Sequence, residues 1–354
     1  MNLDILRITA CFFIVLAHVS SVGCEAFSIT SINWKAAHMF NSLGHSGTIL
    51  FLFISGSLLL SRDYHFNTKK FFLGNFLTLL VAYIGWLIIY HVVGFIQRGD
   101  FSPASLHDAV LNIIYGNASY HFWYIPMLLG IYLLLPIFRA VSLSGNRNVA
   151  YLVILFLTIG VLFPTLFLFE FPYKYLLSSV VNRIPFTLIN HYAGYFFMGY
   201  LLSLLLERKS IPKPKVIGIL FVVTGIVGAL LGDWFLSKRD GFNSGAMNTL
   251  FTLSLCMTAT GVYLFVCSIQ LKENCSAFSI LARVSGYTFG IYMIHPIILN
   301  IVNELSVNTG DFPTLITVPL NTVIVFLGSL FITFLLSLIP GVRRWLLFLH
   351  SAKS

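Results

Sequence analysis

The stretch that decides the fold is residues 3–23, LDILRITACFFIVLAHVSSVG. A helix needs roughly 20 mostly apolar residues to cross the ~30 Å hydrocarbon core of a bilayer, and this run supplies them. It also carries Asp4, Arg7 and His18, which no helix places in hydrocarbon without cost. A secretory leader would have positive charge where Asp4 stands and no imidazole in its apolar centre. The stretch therefore reads as an uncleaved first membrane helix.

Composition extends that reading to the whole chain. Of 354 residues, 58% are apolar and 9% charged, against about 25% charged in soluble domains. So few charges cannot clothe a water-facing surface, which excludes an ordinary soluble enzyme and a disordered chain. The net charge of +9 would suit nucleic acid, but no basic face or RNA-binding motif accompanies it. The lipid bilayer is the expected partner, and nucleic acid is not. Five cysteines without a C-x-x-C pair give neither a disulfide framework nor a zinc site, so no metal is expected.

Hydropathy predicts an all-α polytopic membrane protein of about ten transmembrane helices. The spans fall near 3–23, 38–60, 72–96, 121–141, 149–169, 186–206, 215–236, 246–270, 285–303 and 315–338. Residues 101–119 are too polar to cross and should lie at the interface. With a cytoplasmic N-terminus, 15 Lys and Arg fall on inside segments (Lys272 and Lys353 among them) and 6 on outside loops. That asymmetry follows the positive-inside rule and puts both termini in the cytoplasm. No linker or internal repeat interrupts the spans. Residues 1–340 form one transmembrane domain, and 341–354 a short basic cytoplasmic tail.

Ionisable residues inside the spans mark the candidate site. Arg7 and His18 are 11 residues apart, about 20° beyond three full turns, so they share one face ~16 Å apart along the axis. Asp4 is one turn from Arg7 and close enough to pair with it. The same residues would also serve as a snorkelling anchor and a helix-contact histidine. His45 enters from outside to approach the depth of His18, His121 opens the fourth span beside Trp123, and Ser55 is level with Arg7. His295 sits mid-span in GIYMIHP. There is no nucleophile elbow, phosphate loop or zinc-binding helix pair, which disfavours a hydrolase triad and an ATP-driven pump. A membrane-embedded proton-transfer site remains. A transporter or flippase conducting along this polar stripe is the competing class, opposed by the lack of repeats and of intramembrane carboxylates beyond Asp4.

Arg7 with His18, then FLFISG at 51–56, HFWY at 121–124 and GIYMIHP at 290–296 resemble, in order, motifs of the acyltransferase-3 family of bacterial membrane proteins. The resemblance covers residues 1–340, and the HFWY segment is similar to the branch that O-acetylates enterobacterial common antigen. Two departures stand out: Lys69-Lys70 keeps only half of a common basic cluster, and Ile49 replaces a frequent proline. The resemblance implies a multi-pass enzyme of the bacterial inner membrane. Its donor is cytoplasmic acyl-CoA, normally acetyl-CoA, and its acceptor a hydroxyl of a periplasm-facing glycan or lipid-linked sugar. It implies His18 as general base, with Arg7, Lys69, Lys70 and Ser55 towards the donor. His45, His121, Trp123, His295 and Asp4 are then candidates for the acceptor side.

The charge asymmetry yields the first prediction. In a background lacking the five native cysteines, single cysteines within 61–70 and 208–215 should react with impermeant thiol reagents only from inside. Cysteines within 26–34 should react only from outside. Outside labelling of 208–215 would mean that a span has been miscounted.

Overall fold

The computed structural model describes residues 2–99, 102–115, 119–183, 191–269, 276–305 and 313–349. Lys272, Lys353, positions 186–190 of the sixth expected span, position 270 of the eighth and positions 350–354 of the tail lie outside them. Among the described residues, every regular element is helical. The chain opens with α1 (Leu3–Ala26) and α2 (Ile32–Leu59). Next, α3 (Thr68–Phe71) runs through a π-helical turn at Phe72–Phe76 into α4 (Leu77–Arg98), and α5 (Pro103–Tyr115) follows. A bent pair comes next, α6 (Tyr124–Leu133) and α7 (Leu135–Ser144). Then α8 (Asn146–Leu155) passes through a second π-helical segment, Phe156–Leu162, into α9 (Phe163–Leu166). The series closes with α10 (Lys174–Arg183), α11 (Tyr192–Glu207), α12 (Pro214–Asp240), α13 (Leu253–Cys267), α14 (Ser276–Leu305), α15 (Thr314–Ser337) and α16 (Pro340–Trp345).

Each of the ten expected spans overlies helix, and eight of them fall on helical stretches of spanning length. Among the described residues, seven helical stretches are long and apolar enough to cross a membrane, and the α6–α7 pair, bent by 58°, makes an eighth. Pro136 at the start of α7 explains that bend, because it has no N–H to continue the ladder. The other two expected spans meet α11 and α13, apolar helices of only 16 and 15 residues. At 1.5 Å per residue they reach ~24 and ~22 Å, short of the hydrocarbon core. Hydropathy overran α13 because residues 246–252, though apolar enough to count, form a 3₁₀ turn and extended backbone. At the start of α2 hydropathy fell short. Ser31 caps the helix by accepting from the Trp34 N–H at 3.0 Å, so α2 begins six residues before the expected position 38.

Helix α2 is the hub: it packs against α1, α11, α13, α12 and α15. It meets α1 with backbones almost touching, because a Cβ at Gly44 would strike the backbone of Ala17 and one at Gly47 the carbonyl of Ala10. The C-terminal end of α2 is held by Arg139 from α7, which is 6% exposed. Its guanidinium donates to the carbonyls of Leu59 (2.5 Å), Ser61 (3.1 Å) and Tyr64 (2.9 Å) and lies over the Tyr64 and Phe66 rings. A cation at a helix C-terminus meets both the orphan carbonyls and the negative end of the dipole. The expected basic tail folds back: Trp86 of α4 donates to the Leu346 carbonyl at 2.8 Å, and Leu347 is buried.

Arg139→Leu should therefore strand three carbonyls and destabilise the fold by about 2–4 kcal/mol. Thermal unfolding of the purified protein in detergent measures it; an unchanged Tm would remove Arg139 from this role.

Candidate active site

Two cavities lie along α1. The one nearer the N-terminal end of α1, here called inner, is about 360 Å³ and is walled by Arg7, Ser55, Asn75, Tyr132, Ser285 and Tyr292, with Phe348 of the folded-back tail. The outer one, about 480 Å³, is walled by His18, His45, His121, Trp123, Asn248 and, again, Tyr292. The glycine contacts between α1 and α2 set these levels. Because the helices run antiparallel with Ala17 against Gly44, His18 comes level with His45 and Arg7 with Ser55.

In the inner cavity Arg7 pairs with Asp4 at 3.4 Å, as their spacing suggested, and Asp4 also accepts from the Ser285 hydroxyl at 2.7 Å. Arg7 is half-buried and lines this cavity. Asn75 joins this wall from the π-helical turn, a distortion that often marks functional sites. Lys69 and Lys70 are exposed on α3 and take no part in the wall. They stand apart from the other donor-side candidates.

The outer cavity gathers the histidines. The His18 ring lies 5.3 Å from that of His295, stacked within 21°, and His121 lies 5.5 Å from His295. His295 does not line the cavity but backs its wall, fully buried. Its Nδ1 lies 2.7 Å from the Tyr292 carbonyl, which can only accept, so Nδ1 carries the proton in that bond. Among the described residues the Nε2 lone pair has no partner, nor has Nε2 of His121, whose Nδ1 meets the Ser119 hydroxyl at 3.1 Å. Tyr292 donates to the His121 backbone carbonyl and ties the fourth span to α14. Among the described residues, neither ring nitrogen of His18 makes a hydrogen bond. The His18 side chain lines the outer cavity.

Sequence reasoning missed three features here. Tyr120, whose ring is 4.6 Å from that of His18, was hidden by its position outside any span. Asn75 was hidden because α-helical counting fails across a π-turn. The third corrects an expectation: Asp4 is not the only intramembrane carboxylate. Asp233, inside the expected span 215–236, is fully buried and faces His38 at 3.6 Å across the outer cavity's wall. A scan of spans for aspartate would have found it.

A family model described as an acyltransferase domain, Acyl_transf_3, matches residues 2–339. No curated protein and no solved structure matches the chain. The match spans both cavities and every helix that walls them, and the chain accordingly belongs to the acyltransferase-3 family.

Proposed function

We propose that this membrane acyltransferase moves an acyl group, acetyl in the first instance, from cytoplasmic acyl-CoA to a hydroxyl of a periplasm-facing glycan or its lipid-linked precursor. One observation carries the proposal: a cavity with an arginine and a cavity with histidines adjoin along one helix, with Tyr292 in both walls. Coenzyme A brings phosphates, and a guanidinium at the inner mouth suits them better than any other group on that wall. The pantetheine arm would then reach along α1 towards Tyr292. Lys69 and Lys70 would meet phosphate only outside the cavity. The bilayer is taken to be the bacterial inner membrane, which is where acyl-CoA and a surface glycan meet.

In the outer cavity an acceptor hydroxyl is a weak nucleophile until a base takes its proton, a role that neutral His18 fits. The hydroxyl oxygen attacks the thioester carbon, the C–S bond breaks, and the imidazole passes the proton to the departing thiolate. A two-step route with an acyl-histidine intermediate uses the same residue. Direct transfer is favoured because His295 and Tyr120 flank the His18 ring, which leaves little room for an acyl group carried on it. Export through the same stripe finds less support, since Asp233 is tied to the Met247 N–H and faces His38 in the wall of the outer cavity, away from the Arg7 end of the stripe.

The decisive experiment incubates purified protein with acetyl-CoA and a glycan extract and follows coenzyme A release. Release should depend on both the acceptor and His18. His18→Ala should fold with an unchanged Tm and lose about 100-fold or more in turnover. Wild-type turnover by that variant would end the proposal. Arg7→Ala should raise the KM for acetyl-CoA about tenfold while the acceptor KM holds, and Arg7→Lys should recover part of it. An effect confined to the acceptor would put the donor elsewhere.

A further inference from the structure

A third cavity of about 560 Å³ opens on the outer side of the protein between α4, α5 and α14. Its roof is α5, on which Ser105, Asp108, Ala109 and Asn112 recur at helical spacing and line the cavity. On the other side of the same helix, Leu106, Val110 and Ile114 are 49%, 56% and 71% exposed. A 13-residue helix with one polar and one apolar face lies flat in the membrane interface. The groove beneath it therefore sits at the level of the lipid headgroups.

The lining is chemically distinctive. Side-chain amides recur in it: Gln97 and Asn112 line it, and Asn300 borders both it and a neighbouring hollow shared with Asn303 and Glu304. Among the described residues none of these four amides makes a hydrogen bond within the protein. Each offers donors and an acceptor side by side, the pattern that pairs with neighbouring hydroxyls. The charged side chains lining it, Arg98 and Asp108, are one of each sign, so the groove lacks the positive excess that coenzyme A phosphates require. Tyr120 closes its inner end. It is 55% exposed, with one side towards His18 at 4.6 Å and the other open to the groove. An exposed aromatic face suits the C–H face of a sugar ring.

Taking the acyl-transfer reading above as its footing, we propose that this groove holds the saccharide of a membrane-anchored acceptor. Uncharged sugar hydroxyls meet the amides, a ring rests on Tyr120, and the lipid part stays in the bilayer beside α5. Tyr120 is then a single-ring partition between the bound saccharide and His18.

A cysteine at Asn112, in the chain lacking its five native cysteines, tests this by its labelling rate with an impermeant thiol reagent. The probe is the total glycolipid extract of the source organism, used intact or after periodate has cleaved its vicinal diols. The intact extract should slow labelling several-fold, while the oxidised extract and acetyl-CoA should not. As a second arm, Asn300→Trp should raise the acceptor KM about tenfold and leave the acetyl-CoA KM unmoved. Equal protection by both extracts would mean that lipid alone occupies the groove, and protection by acetyl-CoA would assign it to the donor; each overturns the proposal. No protection while wild-type protein still releases coenzyme A with the extract overturns the groove and leaves acyl transfer standing. Protection without any such release leaves the groove as a glycolipid site and removes the acyl-transfer reading.

Discussion

Helices α1 and α2 meet backbone to backbone, and the rest of the site depends on that contact. Gly44 and Gly47 have no Cβ to hold Ala17 and Ala10 away, so the two helices lock in one antiparallel register. Register fixes depth. His18 and His45 share the outer level, Arg7 and Ser55 the inner one, and neither pair would form if α2 slid by a turn. Arg139 holds the far end of α2 by its carbonyls, so the hub is fixed both along its length and at its C-terminus.

From that register comes a division of chemistry. Near the N-terminal end of α1 the polar groups are a guanidinium, hydroxyls and an amide, groups that pair with anions. Further along α1 they are imidazoles and tyrosines, groups that exchange protons. Polar groups of both kinds are costly in a bilayer unless they face a cavity or each other, and here they do both. Tyr292 stands at the boundary and belongs to each side. Its hydroxyl bond to the His121 carbonyl and its own carbonyl bond to His295 link two histidines to one residue of α14.

Much of this was legible in the sequence because it is local. Arg7, His18 and Asp4 lie on one helix, where a residue count gives the face and the rise gives the depth. His45, His121 and Trp123 were placed by the order and direction of the spans. What was not legible depends on contacts between segments distant in sequence, or on departures from α-helical geometry. Lys69 and Lys70 carry the right charge, but the turn that follows them brings Asn75, and not the lysines, to the cavity. Tyr120 matters only because the segment before the fourth span folds over His18. The lengths of α11 and α13 depend on where the backbone leaves the helix, which hydropathy does not report.

The buried Asp233 explains one of those departures. Backbone outside a helix is tolerated at membrane depth only where it lines a cavity and its polar groups are satisfied. Residues 246–252 line the outer cavity, and several of their polar groups are bonded to neighbouring side chains. Asn248 and Leu250 wall the outer cavity, and the Met247 N–H donates to Asp233 at 2.9 Å. The Met247 carbonyl accepts from Thr252 at 2.7 Å and Ser254 at 2.9 Å, while Asn248 accepts from Ser42 of α2 at 2.5 Å. A carboxylate without a nearby cation would be a poor choice for stability alone. As the acceptor that fixes an irregular loop, with His38 of α2 on its other side, it ties α12 and the loop to the hub. The polar residues that shorten α13 are thus the ones that keep the wall opposite His18 rigid.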